Sequence, residues 1–118
     1  MTRKETEKLE KKLVAAGYVK NTVALSSTES FGYFKSGDVR YDEYGEKIIG
    51  YQIEYRFWDW SVYGNDGKNE FGVDVIIINS GKSRVDLELT STTLEIDRIE
   101  KIADSFNEFC REHSIGQF

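Results

Sequence analysis

The feature that most constrains the fold is a run of alternating residue types from Ile49 to Val62. Side chains two residues apart in a strand share a face, so this period predicts a strand with one apolar face. Asn65-Asp66-Gly67 is typical of a hairpin turn and leads to a second predicted strand, 71–78. The first strand has Tyr51, Ile53, Tyr55 and Phe57 on one face and Gln52, Glu54, Arg56 and Trp58 on the other.

Shorter β-branched and aromatic segments flank this hairpin. Turns are predicted at Ser36-Gly37-Asp38, at Gly45 and at 79–82, where glycine and short polar residues accumulate. Because short turns join successive strands, the strands should form an antiparallel meander. The predicted strands are residues 18–27, 31–35, 39–44, 49–62, 71–78 and 85–89.

Helices are predicted at both ends of the chain. Thr2 to Glu5 fits a capping box, and Gly17 followed by Tyr18 is typical of a helix C-terminus. Thr92 to Glu95 fits a second capping box, ahead of a wide apolar stripe that ends near Gly116. The stripe consists of Ile99, Ala103, Phe106, Cys110 and His113, with Ile102 and Phe109 beside it.

Together these patterns predict one α+β domain over residues 1–118. It is an antiparallel meander sheet of about five strands, with the N-terminal and C-terminal helices packed on one face. The face under the helices should carry Tyr51, Ile53, Tyr55, Phe57, Val73, Val75, Val85, Leu87 and Leu89.

Composition limits the class of partner. The chain has 118 residues, 21 acidic and 16 basic, and a formal net charge of −5. This argues against nucleic-acid binding and suits a basic protein partner, such as a nucleic-acid enzyme. No apolar run approaches the ~20 residues that span a bilayer, and the polar N-terminus lacks the apolar region of a signal peptide. Cys110 is the only cysteine, so we expect no disulfide and a cytoplasmic protein.

Motifs for cofactors and nucleophilic catalysis are incomplete. The segment 76–83, IIINSGKS, ends like a P-loop, but Ile76 stands where the motif needs glycine, and a strand pattern follows instead of a helix. Cys110 and His113 lie one helical turn apart in an apolar setting, which does not favour a reactive thiolate. One cysteine and one histidine cannot form a four-ligand zinc site. We therefore expect no cofactor and no resident metal.

Three carboxylates leave one enzymatic alternative open. Asp74, Asp86 and Glu88 are predicted on one sheet face, where paired carboxylates can bind a divalent cation for hydrolysis. Metal-dependent nucleases of the restriction-enzyme type follow the Asp with an acidic-x-Lys tripeptide, and Thr90 takes the lysine position here. A solvated polar face of a strand explains these acids more simply.

Aromatic content is the main anomaly, at 14% of the chain. Trp58 and Trp60 are predicted on the face opposite the helices. If Trp58 pairs near Ile76, the two tryptophans form an apolar patch with Ile76 and Ile78 beside Arg56. A loop folded over them, or a bulge near Asp59, would instead bury the indoles.

The leading hypothesis is a non-enzymatic binding protein that contacts a protein partner, or a second copy of itself, in stoichiometric fashion. The expected contact residues are Trp58, Trp60, Arg56, Ile76, Ile78, Tyr41 and Tyr44. In size, acidity and lack of catalytic motifs the chain is similar to small inhibitors carried by phages and mobile elements, anti-CRISPR and immunity proteins among them.

Two other functions remain open at this point. Aromatic residues on a sheet can stack small molecules or nucleic-acid bases, with positive charge from nearby lysines and arginines. A metal-dependent hydrolase built on the three carboxylates is the third hypothesis. The positive charges available to the second hypothesis are Arg40, Lys47, Arg56, Lys82 and Arg84.

Overall fold

The computed structural model describes residues 2–21, 29–59, 71–79, 85–89 and 95–113. The elements are α1 Arg3–Ala15, β1 Val19–Asn21, β2 Glu29–Tyr41, β3 Lys47–Asp59, β4 Phe71–Asn79, β5 Val85–Leu89 and α2 Ile96–Glu112. The five strands form one antiparallel sheet in chain order. The predicted α+β meander with a helix at each end is confirmed. Neither helix is long and apolar enough to cross a membrane, as far as the chain is described.

Helix α1 begins and ends where its sequence predicts. The Thr2 hydroxyl accepts from the Glu5 amide at 3.2 Å, and the Glu5 carboxylate accepts from the Thr2 amide at 3.4 Å, which completes the capping box. Gly17 takes a φ of 92° after the helix, and the Tyr18 amide donates to the Leu13 carbonyl. This left-handed glycine turns the chain back so that Tyr18 reaches the core.

The start of helix α2 differs from the prediction. Its N-cap residue is Glu95, in an extended conformation and without a side-chain capping hydrogen bond. The capping box predicted for Thr92 to Glu95 is therefore wrong, because the helix begins only at Ile96. Thr92 itself lies outside the described residues.

Strand β2 is continuous from Glu29 to Tyr41, so the turn predicted at Ser36-Gly37-Asp38 is wrong. Pairing with β3 continues through Gly37 opposite Tyr51 as far as Tyr41 opposite Lys47. Gly37 and Asp38, which are typical of a turn, have other roles within this strand. Gly37 leaves room for the Tyr51 ring, and Asp38 adopts a φ of 50° within the ladder.

The core lies between the sheet and the two helices. Phe57 is fully buried at its centre, stacked on Phe31 with ring centroids 4.7 Å apart. Burying one such side chain contributes about 1.5–3 kcal/mol. The predicted strand positions on this face are confirmed wherever their side chains are described. The buried cluster contains Leu13, Tyr18, Tyr33, Tyr51, Ile53, Tyr55, Phe57, Val73, Val75, Ile77, Ile99 and Ala103, with Leu87 partly buried against it.

Strands β2 and β3 extend beyond their neighbours as a two-stranded ribbon. Strand β1 pairs with β2 only as far as Val19 opposite Phe34, and β4 ends at Asn79. We call residues 37–51 the ribbon and residues 39–47 the ribbon tip. Its turn is ordered by the Asp42 carboxylate, which accepts from the amides of Tyr44 at 2.9 Å and Glu46 at 2.8 Å.

Candidate functional site

The sheet face opposite the helices, here the open face, carries the alternate residues of β3 and β4. Because Phe57 is fully buried on the helix side, alternation places Trp58 on the open face. Trp58, Arg56 and Ile76 are half-buried, and Ile78 is buried. No described helix packs over these residues, whereas residues of both helices belong to the core cluster on the other face.

The register of β3 and β4 separates residues that were predicted to lie side by side. Trp58 lies opposite Gly72, so the pairing near Ile76 on which the apolar patch was conditional does not occur. Ile76 lies opposite Glu54, and the pair Arg56 opposite Asp74 stands between these two positions. A charged rung therefore divides the expected apolar patch. Trp60 lies outside the described residues.

Arg56 is engaged with a neighbour on its own strand. Its Nε and Nη2 atoms lie 3.0 and 2.9 Å from Glu54 Oε2, and Gln52 donates to Glu54 Oε1 at 2.9 Å. These side chains, with Phe34, line a groove of about 340 Å³ on the open face. Gly32 also lines the groove, and a Cβ there would stand 3.2 Å from the Tyr55 carbonyl oxygen, a tight contact.

Trp58 leaves one polar atom without a partner. Its indole Nε1 is buried, and no described residue accepts a hydrogen bond from it. A buried indole N–H normally finds an acceptor, since an unmade bond costs about 1–3 kcal/mol. Trp58 therefore packs mainly as an apolar side chain, with only part of its surface accessible from the open face.

The ribbon tip exposes two aromatic side chains. Tyr44 is 84% exposed and Tyr41 is 69% exposed, and Val39 nearby is 41% exposed. The backbone that carries them is held by strand pairing on one side and by the Asp42 turn on the other. These side chains are therefore presented on an ordered support and are not shielded by described parts of the chain.

The charges around the two tyrosines are mostly negative. Glu43 and Glu46 are exposed on the turn, and Asp42 lies between the tyrosines in the chain. Lys47 at the end of the turn and exposed Arg40 beside Tyr41 are the basic residues of the tip. The tip thus combines exposed phenol rings with three acidic and two basic side chains, a small excess of negative charge.

A chain of polar side chains joins the ribbon to α2. Asn79 is fully buried, and its Nδ2 donates both to the Gly50 carbonyl and to Asn107 Oδ1, each at 2.8 Å. Asn107 Nδ2 in turn donates to Asp38 Oδ2 at 2.7 Å. The Nε of Arg40 lies 2.9 Å from the other Asp38 oxygen. We call Asp38, Gly50, Asn79 and Asn107 the joint cluster.

The charge on Asp38 is stabilised within this cluster. Burial by itself favours the protonated carboxyl. Hydrogen bonds from Arg40 and Asn107, together with the charges of Arg40 and Arg111, outweigh burial and lower the pKa of Asp38 below its usual value. The Arg111 guanidinium contributes at 3.6 Å.

Sequence reasoning missed the joint cluster. Asn79 was assigned to a turn, but it ends β4 opposite Val85 with its side chain among the core residues. Asn107 follows Ile99 and Ala103 at intervals of four on the same buried helix face. A polar residue at a buried helical position is the signal that could have drawn attention to it.

The other chemical candidates are placed apart or buried. Cys110 is 1% exposed, and burial raises its thiol pKa, which disfavours the thiolate. His113 is exposed and stacks on Phe109, although it was expected on the buried stripe. The strand β5 that follows residue 84 supports rejection of a P-loop.

The carboxylates of the hydrolase alternative occupy different rungs. Asp86 lies opposite Ile78 and Glu88 opposite Ile76, while Asp74 lies two residues before Ile76 in β4. Among the described residues, no group of three or more His, Cys, Asp and Glu side chains is placed to hold a metal ion. The geometry thus gives this alternative no assembled site in the described part of the chain.

Comparisons with protein-family models, with curated proteins and with solved structures found no match to this chain. The features of this chain that bear on its function are the open face, the ribbon tip and the joint cluster.

Proposed function

We propose that the protein is a non-enzymatic binding module that acts by stoichiometric contact with a protein partner through the ribbon tip. The observation that carries this proposal is the exposure of Tyr41 and Tyr44 on an ordered turn. Tyrosine is enriched among residues that dominate binding energy, because its ring is large and its hydroxyl tolerates water. An ordered turn also reduces the conformational entropy lost on association.

The charge of the tip supports a basic partner. The tip has three acidic residues, Asp42, Glu43 and Glu46, against two basic ones, and the whole chain carries a net charge of −5. An acidic tip accelerates encounter with a positive surface and disfavours acidic competitors. The proposed partner is therefore a protein with a basic groove, such as a nucleic-acid enzyme. By covering that groove the chain would act as an inhibitor, the role of the small phage and mobile-element proteins that it resembles in composition.

In this proposal the open face is a secondary contact. Trp58 and Ile76 offer partly accessible apolar surface, whereas Ile78, also a predicted contact, is buried. The charged rung containing Arg56 restricts how closely a partner can approach. Trp60 remains a predicted contact. A second copy of the chain is the alternative occupant of this face, and a concentration-dependent change in mass would reveal it.

The test begins by capturing partners from source cells with tagged protein and continues with variants. We expect the double variant Tyr41→Ala, Tyr44→Ala to weaken binding by about 30-fold or more, since hot-spot truncation costs at least about 2 kcal/mol. The matched control is Val14→Ala with Val19→Ala, which truncates two side chains of similar exposure, 60% and 57%, away from the ribbon. A tip variant that stays folded and binds like the control would contradict the proposal.

The groove on the open face supports a second candidate, a small-ligand site. Its lining combines the ring of Phe34 with the Glu54 carboxylate and the Arg56 guanidinium. Nucleic-acid binding there is disfavoured because Glu54 pairs with Arg56 at 2.9 Å. Phe34→Ala should abolish ligand binding under this alternative and leave partner binding by the tip intact. Steep weakening of binding with added salt would instead point to nucleic acid.

A further inference from the structure

The ribbon meets the sheet at a single joint. Here β4 ends at Asn79, and β2 and β3 continue with no described strand on either side of them. An isolated two-stranded hairpin is only marginally stable in water, so its direction needs support from another element. At the joint, Asn79 at the end of β4 and Asn107 of α2 form hydrogen bonds to Gly50 and Asp38 of the ribbon.

Asp38 and Gly50 make the backbone of the joint unusual. Asp38 is the only non-glycine residue with a positive φ in the described ranges, at 50°. A Cβ on Gly50 would stand 2.7 Å from the Asp38 Cβ, so glycine is needed opposite this residue. Strand alternation would direct Asp38 to the open face, but its carboxylate bonds to Asn107 on the helix side. The left-handed conformation thus brings a ribbon side chain to α2.

The hydrogen bonds of the joint have a defined direction. An ionised Asp38 can only accept, so Asn107 must present its NH₂ group to Asp38 and its carbonyl oxygen to Asn79. Asn79 must then present its NH₂ group, which also reaches the Gly50 carbonyl. Asn107 therefore connects the Asp38 side chain of β2 to Asn79 at the end of β4. Through Asn79, the connection continues to the Gly50 carbonyl of β3.

We propose that Asn107 of α2 is a positioning residue that sets the direction in which the ribbon leaves the sheet, and hence where Tyr41 and Tyr44 are presented. This inference deepens the proposed function and rests on it for its biological meaning. Tyr51 at the base of the ribbon adds a second contact with α2, because its hydroxyl donates to Asp104 Oδ1 at 2.5 Å. Among the described residues, Arg111 of α2 also contacts the ribbon, at 3.6 Å from the Asp38 carboxylate. Of these three contacts, the one made by Asn107 continues through Asn79 to the end of β4, so its loss should leave the ribbon attached to α2 but free to move relative to the sheet.

The test uses residual dipolar couplings of backbone amides in the full-length protein, which report ribbon orientation without any partner. In the wild type, one alignment frame should fit ribbon and sheet, with ribbon order parameters of about 0.85. Asn107→Leu keeps the branched outline and the number of heavy atoms of the side chain and removes both amide bonds, and we expect ribbon order to fall below about 0.6. Ser105→Leu, at an exposed position of the same helix, is the matched control and should resemble the wild type.

A side-chain exchange tests the positioning role of Asn107 without changing the size of the side chains at the joint. In the double variant Asp38→Asn, Asn107→Asp, the amide at 38 can donate to the carboxylate at 107, which still accepts from Asn79. Asparagine tolerates the left-handed φ of position 38. We expect this exchange to restore wild-type ribbon couplings, a result that general destabilisation by either change would not give. It also keeps the proposal testable if Asn107→Leu fails to fold.

Ribbon couplings in Asn107→Leu identical to those of the Ser105→Leu control would overturn the positioning role. Loss of ribbon order in the exchanged double variant would overturn it as well. Failure of the proposed function is seen separately, since Tyr41→Ala with Tyr44→Ala affects partner binding and should leave the couplings of the joint unchanged. The two ideas can therefore fail independently.

Discussion

Replacement of Gly37 by alanine tests the packing at the base of the ribbon. A Cβ at position 37 would stand 2.1 Å from Cζ and 2.3 Å from the hydroxyl oxygen of Tyr51. Carbon atoms in contact normally stay about 3.5 Å apart, so the ring would have to move by more than about 1 Å. Tyr51 is 8% exposed and bonded to Asp104, which leaves little room for such a movement.

The expected cost follows from two losses and one gain. Overpacking a filled site costs about 1–3 kcal/mol, and the displaced bond from Tyr51 to Asp104 contributes about 1 kcal/mol because Asp104 is exposed. Replacing glycine returns about 0.4–1 kcal/mol by restricting the unfolded chain. We therefore expect Gly37→Ala to lower the free energy of unfolding by about 1–3.5 kcal/mol, or the urea midpoint by about 0.5–2 M at an m-value of about 2 kcal/mol/M.

A double-mutant cycle identifies the cause. In a Tyr51→Leu background the clashing ring atoms are gone, so Gly37→Ala should change the free energy of unfolding by less than about 0.5 kcal/mol. Urea unfolding followed by circular dichroism measures all four proteins, and m-values check that the unfolded states are comparable. An equal cost of Gly37→Ala in both backgrounds would refute the reasoning, because the ring would not be responsible.

Three further predictions concern the joint, the thiol and the core. Because the folded pKa of Asp38 is lowered, its contribution to stability is present above about pH 4 and lost on acidification; Asp38→Asn should flatten stability measured from about pH 2 to 5. Cys110 should react with a thiol reagent at about pH 8 only as fast as the protein unfolds, and rapid labelling would contradict its burial. Phe57→Ala should cost about 3–5 kcal/mol in urea unfolding, against under about 0.5 kcal/mol for exposed Val19→Ala.

The strand faces were predictable because their signal is local. Tyr55 and Phe57 alternate with Glu54 and Arg56, and the structure buries the first pair and leaves the second pair half-buried. Side-chain alternation is a property of the backbone alone, so it needs no knowledge of the partner strand. The same holds for the capping box of α1, whose bonds join residues three apart.

The continuity of β2 was not predictable from local chemistry. Glycine and aspartate are typical of turns because both tolerate a left-handed backbone conformation, and glycine also leaves space for a close neighbour. In this protein the same properties suit a strand. Gly37 leaves space that the Tyr51 ring fills, and the backbone conformation of Asp38 lets its carboxylate reach Asn107. Those partners are distant in sequence, so only the tertiary structure distinguishes the two uses.

The candidate site was predictable in part. Tyr41 and Tyr44, which were chosen as contact residues, are exposed. Trp58 and Ile76 are separated by the pair Arg56 and Asp74, and the alternation of side chains within one strand does not show which residues of two strands pair. Strand register depends on the length and conformation of the connecting turn, which a side-chain pattern does not specify. The link from Asn107 to Asp38 spans 69 positions and has no local signal at the Asp38 end.

The order of the strands has a consequence for how the chain assembles. Each strand pairs with its neighbour in sequence, so the sheet can grow one hairpin at a time and closes only short loops. The chain also contains no proline, which removes the slow isomerisation that delays many proteins by ~10–100 s. The two helices must wait for the sheet, because neither has an apolar surface to cover until the strands have paired. Folding should therefore be quick and should end with the helices docking.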